Sequence, residues 1–291
     1  MTDTAHRIPA LVNTESGTAD AARTALHEND AFELHEVPPD QLESSLKELV
    51  ADKVPRLLVA GGDGTIATAA SALLGTDIQL AILPGGTLNH FATDLGIPTD
   101  APEALALAVD GSPRSADVGM VNEHLFLNTS SVGAYVHFVR VREYLEPRFG
   151  YRIASAIAAL RILLQLRMIA VEFEVDGTRR SYRTPIVFIG TGERELKLPL
   201  LGKRVPNGKR GLHVMIVRGR SAARLMAIGL NAVARGVKTA ARTPELDSFL
   251  VEHCTITLRR EGRIAVDGEL IAVGRVLEYS LERDAVQVVC P

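Results

Sequence analysis

Cysteine is nearly absent from this 291-residue chain, with only Cys254 and Cys290 present. The two lack metal-ligand spacing, and two thiols in so long a chain make no disulfide framework, so a reducing cytoplasm is the expected setting. An uninterrupted apolar run is missing too. The longest apolar stretch, Tyr151 to Ala170, is broken by Arg152, Arg161, Gln165 and Arg167, and charges at such depths are expensive in lipid. It reads as a buried or interfacial helix, not a membrane span. The start, MTDTAHRIPALVN, has polar residues where a secretory signal needs a basic end and a continuous apolar core, so export is not expected. There is no internal repeat, no low-complexity tract and no charge excess. A net charge of -3, with 23% charged and 46% hydrophobic residues, describes an ordinary soluble globular protein and gives no reason to expect a nucleic-acid partner.

The length leaves room for two domains. In the first part, apolar runs alternate with stretches of helical composition. IPALVN precedes a helix from Thr18 to about Leu26, FELHEV precedes one from Asp40 to about Asp52, and RLLVA precedes IATAASALL. LAILP then leads into a loop, and Pro102 to Val109 forms a further short helix. Such alternation predicts an α/β domain with a mostly parallel sheet covered on both faces. After the Gly-Ser-Pro break at 111 to 113 the runs become strand-like, from HLFLNTSSVG to RIAVDGE, with helices expected at about 151 to 167 and 221 to 240. The expected division is an α/β domain over 1–115 and a strand-rich, β-sandwich-like domain over 116–276, with the last strand, about 277–291, packing back on the first.

The stretch RLLVAGGDGTIATAASALL carries the first chemical signal. A strand meets Gly61, Gly62, Asp63, Gly64 and Thr65 just before a helix. Backbone N–H groups at a helix start, with the helix dipole behind them, bind phosphate anions, and glycines let the backbone come close. Asp63 would repel a bare phosphate, so its useful roles are to position a nucleotide-bound magnesium ion or to accept a proton. The alternative is an Asp that hydrogen-bonds its own turn. The loop has no Walker A lysine and no Gly-x-Gly-x-x-Gly spacing, so neither of those folds is implied. A second turn, Pro84, Gly85, Gly86 and Thr87, follows the next strand. In an open parallel sheet both turns lie on one edge, where ligands bind.

With these residues in view, the chain resembles the diacylglycerol kinase catalytic family, and more remotely the sphingosine and ceramide kinases. The blocks that carry the resemblance are NTESG at 13–17, GGDGT at 61–65, PGGTLNHFATDLGIP at 84–98, DVGMVNEHLFLNTSSVG at 117–133 and VDGEL at 266–270. It implies nucleotide contacts from Asn13, Ser16, Gly17, Gly61, Gly62, Gly64, Thr65, Gly86, Thr87 and Asn89. It also implies Glu269 as proton acceptor with Asp267 beside it, and Asp63 acting through nucleotide-bound magnesium. By themselves Asp267 and Glu269 read as a solvated acidic hairpin turn; the resemblance reverses that reading. The implied reaction is transfer of the ATP γ-phosphoryl group, with Mg2+, to a hydroxyl of diacylglycerol or a related lipid. NAD kinases share GGDGT, so an NAD kinase-like enzyme is the first alternative, and a catalytically weak nucleotide- or lipid-binding regulator is the second.

The chain also departs from the family pattern. Ile66, Ala67 and Thr68 stand where relatives often have residues resembling Leu-Asn-Glu, and His90 follows Asn89 where many have Asp. Lys209, Arg210 and His213 occupy a region where bacterial relatives carry aspartates that bind a structural magnesium ion, so no structural metal is expected. TPIVFIGTGERE lacks asparagines that relatives place after this strand. Arg220 to Arg242 contains no acidic residue, and Arg220, Arg224, Arg235, Lys238 and Arg242 share one helical face. That face is either an ordinary solvated one or a peripheral contact with an anionic membrane, reached from the cytoplasmic side. A homodimer is left open.

Overall fold

The computed structural model describes residues 7–165, 167–196, 201–205, 207–218 and 246–291. The basic segment 220–242 therefore lies outside the described residues. The chain divides into two compact units, one reaching Val118 and rejoined by Arg283–Pro291, the other spanning Gly119–Glu282.

In the first unit the elements run β1 (Ile8–Asn13), α1 (Ala19–His27), β2 (Phe32–Val37), α2 (Leu42–Ala51), β3 (Arg56–Gly61), α3 (Asp63–Ala72), β4 (Gln79–Pro84), α4 (His90–Asp94) and α5 (Ala101–Asp110). The sheet order is β2-β1-β3-β4, parallel throughout. β2 is laid on one side of β1 and β3 on the other, so the order of the connections reverses there and the gap between β1 and β3 is the topological switch point of the sheet. The strands are nearly continuous apolar runs, as a sheet covered on both faces requires: Leu57, Leu58 and Val59 are fully buried, as are Leu80 and Ala81. One face carries α1 and α5, whose Ala19, Ala22, Leu26, Ala104, Leu105 and Ala108 share a core with β1 and β3. The small alanines let these helices lie close to the sheet.

Arg56 locks the end of α5. Its guanidinium donates to the carbonyls of Ala108, Val109 and Gly111 at 2.6, 2.7 and 3.0 Å and to Gln79 Oε1 at 2.7 Å. A cation at a helix C-terminus satisfies orphan carbonyls and complements the dipole.

The second unit is antiparallel. Entered through β5 (Ser112–Val121), it contains β6 (His124–Phe126), β7 (Thr129–Gly133), α6 (Ala134–Leu164), β8 (Ile169–Val175), β9 (Thr178–Thr184), β10 (Ile186–Thr191), β11 (Arg194–Leu196), β12 (Leu201–Arg204), β13 (Leu212–Val217), β14 (Leu246–Val251), β15 (His253–Leu258), β16 (Gly262–Val266) and β17 (Glu269–Val273). The last strand, β18 (Val276–Cys290), pairs with β15 through residues 276–280, while Gln287 and Val288 pair with β4 in the first unit. One antiparallel sheet runs β14-β13-β10-β7-β16-β17, and β8, β9 and β15 belong to another. Val187, Ile189, Val214 and Ile264 of the former pack in one core with Phe173, Ile256, Leu277 and Tyr279 of the latter.

The helix expected from 151 to 167 begins earlier, at Ala134, and is broken at Gly150 (φ 71°, ψ 162°), three residues after Pro147. Its first half holds Val136, Val139 and Val141, β-branched residues that weaken helix propensity and hid it from the sequence. Arg142 joins the halves: it is 3.5 Å from Glu146, and its guanidinium lies 5.6 Å from the ring centre of Tyr151. No helix among the described residues is long and apolar enough to cross a membrane.

Replacing Arg56 by Ala is expected to lower unfolding free energy by about 2 kcal/mol, through the lost bonds to the α5 carbonyls. Urea denaturation checks this, and Arg56→Lys, with one ammonium in place of the fork, should recover less than half of the loss.

Candidate active site

Three of the five sequence blocks meet at the carboxyl edge of the first sheet. Residues 13–18 follow β1, 61–65 follow β3 and 84–89 follow β4, and these strands are parallel neighbours. Gly61, Gly62, Gly85 and Gly86 let the loops touch backbone to backbone. Gly85 N donates to Gly61 O at 2.8 Å. A methyl on Gly86 would sit 2.8 Å from the Gly62 Cα, and one on Gly61 would sit 2.6 Å from the Thr65 side chain. Gly17 has nothing within 4 Å of where a methyl would go. A methyl on Gly85 would meet the Thr18 hydroxyl, so Gly85 and Gly86 are required by packing between loops and Gly61 by packing within its own block, a role distinct from approach to a ligand.

Most polar side chains of these blocks also hold the loops together. Asn13 Nδ2 donates to Thr65 Oγ1 at 2.9 Å while its Oδ1 accepts from Glu15 N at 3.0 Å. Ser16 Oγ and Thr18 Oγ1 both donate to Gly85 O, at 3.2 and 3.0 Å. Asn89, in the left-handed region (φ 47°), accepts from Gly86 N and donates to Gly86 O, both at 2.8 Å. Sequence reading named Gly85 as part of the second turn but did not connect it with Thr18, whose bond to it joins residues 67 positions apart.

Asp63, Gly64 and Thr65 are not loop residues. They form the first turn of α3, capped by extended Gly62 (ψ -177°). Their N–H groups are the leading donors of the helix and have no intrahelical acceptors, and the helix dipole adds a partial positive charge there. Asp63 is half-buried, with Oδ1 3.5 Å from Phe91 N. Thr87 is exposed. These groups fit a nucleotide phosphate: backbone donors from α3, a hydroxyl from Thr87, and one carboxylate to orient a phosphate-bound magnesium ion.

The second unit holds the remaining acids. Asp267 (φ 45°) and Gly268 (φ 92°) form the two-residue turn of the β16–β17 hairpin, closed by the Val266–Glu269 pair. Both residues have positive φ, as a type I′ turn needs, and Asp-Gly is a favoured sequence for it. The Asp267 carboxylate accepts three backbone N–H groups, from Leu127, Asn128 and Thr129, at 2.6, 2.9 and 2.8 Å. Its own N–H donates to Thr129 O at 2.8 Å. The far side of that segment is held by Thr191, whose hydroxyl donates to Leu127 O and whose N–H donates to Asn128 O. Arg194 and Arg204 in turn donate to Thr191. Asn128 is buried, and its Oδ1 has no hydrogen-bond partner among the described residues.

Burial pushes the Asp267 carboxyl up from 3.8 to about 6, against the three N–H donors and Arg194, which all pull it down. Glu269, next along the hairpin, is exposed at the start of edge strand β17. The loop expected to lack a structural metal is held by protein contacts. Glu193 Oε2 accepts from Lys209 N at 2.9 Å, and His213 accepts from Arg194 N through Nδ1 at 2.9 Å and meets Ser248 Oγ through Nε2 at 2.6 Å.

Comparison with known proteins extends these observations. Residues 7–121 match the model of the diacylglycerol kinase catalytic domain family. That segment covers the parallel sheet and all three loops of its carboxyl edge. A diacylglycerol kinase of Mycobacterium tuberculosis is 33% identical over 138 residues, covering 46% of this chain and 45% of its own length. A protein of Pectobacterium atrosepticum named "Probable lipid kinase YegS-like" is 29% identical over 197 residues, covering 63% and 65%. The chain spans about one third to two thirds of the length of the curated relatives it matches. A crystal structure of a diacylglycerol kinase from Bacillus anthracis superposes with a TM-score of 0.73 over 98% of this chain and 97% of that one, at 22% identity. That likeness is one of fold, and it takes in the second unit as well.

Gly86→Ala is expected to lower unfolding free energy by about 1–3 kcal/mol, because backbone faces the added methyl, while Gly17→Ala, placed in open space, should leave it nearly unchanged; thermal melts compare them. Asp267 gives a pH signature. Its folded form holds a proton more tightly than the unfolded chain, so the stability it contributes is fully present below pH 3.8 and lost as pH rises through about 6. Asp267→Asn keeps a turn-compatible residue but turns an amide toward N–H donors. It should cost about 1–3 kcal/mol and flatten the slope of the urea midpoint between those pH values.

Proposed function

We propose that this protein is a lipid kinase, transferring the γ-phosphoryl group of ATP to a hydroxyl of diacylglycerol or a related lipid. The observation that carries the donor half is the convergence of three loops on the α3 N-terminus at the switch point of a parallel sheet, a geometry suited to a polyphosphate. The match of residues 7–121 to the diacylglycerol kinase catalytic domain, and relatives named for diacylglycerol or lipid kinase activity, support the acceptor half.

In this reading the α3 N–H groups hold phosphate oxygens, and Thr87 adds a hydroxyl. Bound magnesium would neutralise charge on the transferred group, with Asp63 orienting it. Glu269 accepts the proton of the attacking lipid hydroxyl, which its exposure on an edge strand leaves it free to reach. Asp267 enters as a positioning residue: its carboxylate is engaged by three backbone amides, and through the two-residue turn it sets where Glu269 stands. Ile66, Ala67 and Thr68 add no carboxylate beside the donor loops, so Asp63 carries the metal contact of this region alone.

A radiolabelled ATP assay against a panel of diacylglycerol, other lipid alcohols and NAD tests the reading. Glu269→Gln should lower lipid phosphorylation on the order of a hundredfold or more with ATP affinity unchanged, because the donor loops are intact. Transfer to NAD alone would overturn the lipid assignment in favour of an NAD kinase-like enzyme. ATP or lipid binding without transfer to any acceptor would favour a regulator.

A further inference from the structure

The second half of α6 is apolar on both sides. Ala154 and Ala158 are fully buried, whereas Ile153, Ile157, Leu160 and Leu164 are 55%, 40%, 58% and 76% exposed. At 100° per residue these four fall within about 60° of one another and form a continuous stripe. Exposed apolar stripes of this kind mark contact surfaces. Arg152 and Arg161 are exposed and border it on opposite sides. From residue 147 to 171 the chain has Arg148, Arg152, Arg161 and Arg167 and no acidic residue.

We propose that this stripe rests on an anionic lipid leaflet, with Ile153, Ile157, Leu160 and Leu164 among the acyl chains and the flanking guanidiniums at the phosphates. The charge pattern selects this occupant. In a two-fold contact between copies the same patch faces itself, which would bring arginine rim against arginine rim, whereas anionic headgroups are complementary to that rim and arginine stems reach them from beside an apolar face. α6 also packs against β16 and β17, the hairpin whose second strand begins at Glu269. The helix lying on the leaflet would therefore belong to the body that carries the proposed acceptor acid. This deepens the lipid-kinase reading by naming the surface on which the acceptor is met. The binding itself needs no phosphoryl transfer, so the two readings fail separately.

The test uses the full chain, an Ile153→Ser/Leu160→Ser/Leu164→Ser variant and an Arg152→Glu/Arg161→Glu variant. Each is sedimented with vesicles of phosphatidylcholine alone and of phosphatidylcholine with about one third phosphatidylglycerol, and sized by light scattering. All substituted positions are exposed, and circular dichroism confirms folding. The wild type should partition at least about tenfold more strongly onto the anionic vesicles. Both variants should lose about tenfold or more of that binding while phosphorylating a dispersed short-chain diacylglycerol at the wild-type rate. Wild-type indifference to anionic vesicles, or wild-type binding by both variants, overturns the proposal. So does a serine variant that only converts a dimer to a monomer, which would assign the stripe to a second copy. If none of the three proteins phosphorylates any lipid, the kinase reading fails and sedimentation still decides this one.

Discussion

The contact between two stretches of bare backbone, Gly61–Gly62 and Gly85–Gly86, is the constraint on which the rest of the first unit turns. Parallel strands about 4.8 Å apart deliver the two turns side by side, and they can meet only where neither carries a side chain. Once they meet, the Gly85 carbonyl is placed to accept from Ser16 and Thr18, which fixes the β1 loop, and Thr65 is placed to accept from Asn13. The loops become one rigid rim around the start of α3. In the proposed reading an anion at that rim would meet main-chain N–H groups, whose placement depends little on which side chains surround them. On that reading the site would not need acidic residues at 66–68.

The second unit uses a different device, a single carboxylate that organises backbone. Asp267 reads the N–H groups of three consecutive residues, and Thr191 reads two carbonyls of the same segment. Leu127 and Asn128, which connect β6 to β7, and Thr129, the first residue of β7, are thereby held from both sides. Because the tie originates in a two-residue turn, displacement of the 127–129 segment would be passed directly to Glu269. Burial makes the arrangement strong and also makes the charge costly, which is why the carboxyl titrates high despite its donors.

The parallel sheet was legible in the sequence because its signals are local. The expected strands IPALVN and FELHEV coincide with β1 and β2, and RLLVA and LAILP fall within β3 and β4. The glycine turns sit where Gly and Pro punctuate apolar runs. What was hidden depended on distance or on competing propensities. The tie from Asp267 to Leu127 spans 140 residues, so no local pattern announces it, and an Asp-Gly turn looks the same whether its carboxylate faces water or three amides. The valines of α6 favoured extended structure by intrinsic preference, and tertiary contacts overrode them. Asn13, Ser16 and Asn89 were visible as polar residues in the right blocks. That Asn13 and Ser16 bond to neighbouring loops and Asn89 to its own could be seen only once the chain was folded.

The return of Arg283–Pro291 to the first unit bears on how the protein is made. Val289 is a core residue of that unit, Ala285 O accepts from Gly75 N, and Gln287 and Val288 pair with β4. A ribosome therefore releases the whole of the second unit before it supplies the strand that completes the sheet beside β4. During that interval β4 is an unpaired edge of buried-type residues, Leu80 to Leu83, open to a chaperone or to another nascent chain. The first unit is begun first and finished last, and its vulnerability to aggregation should be greatest while the middle of the protein is being synthesised.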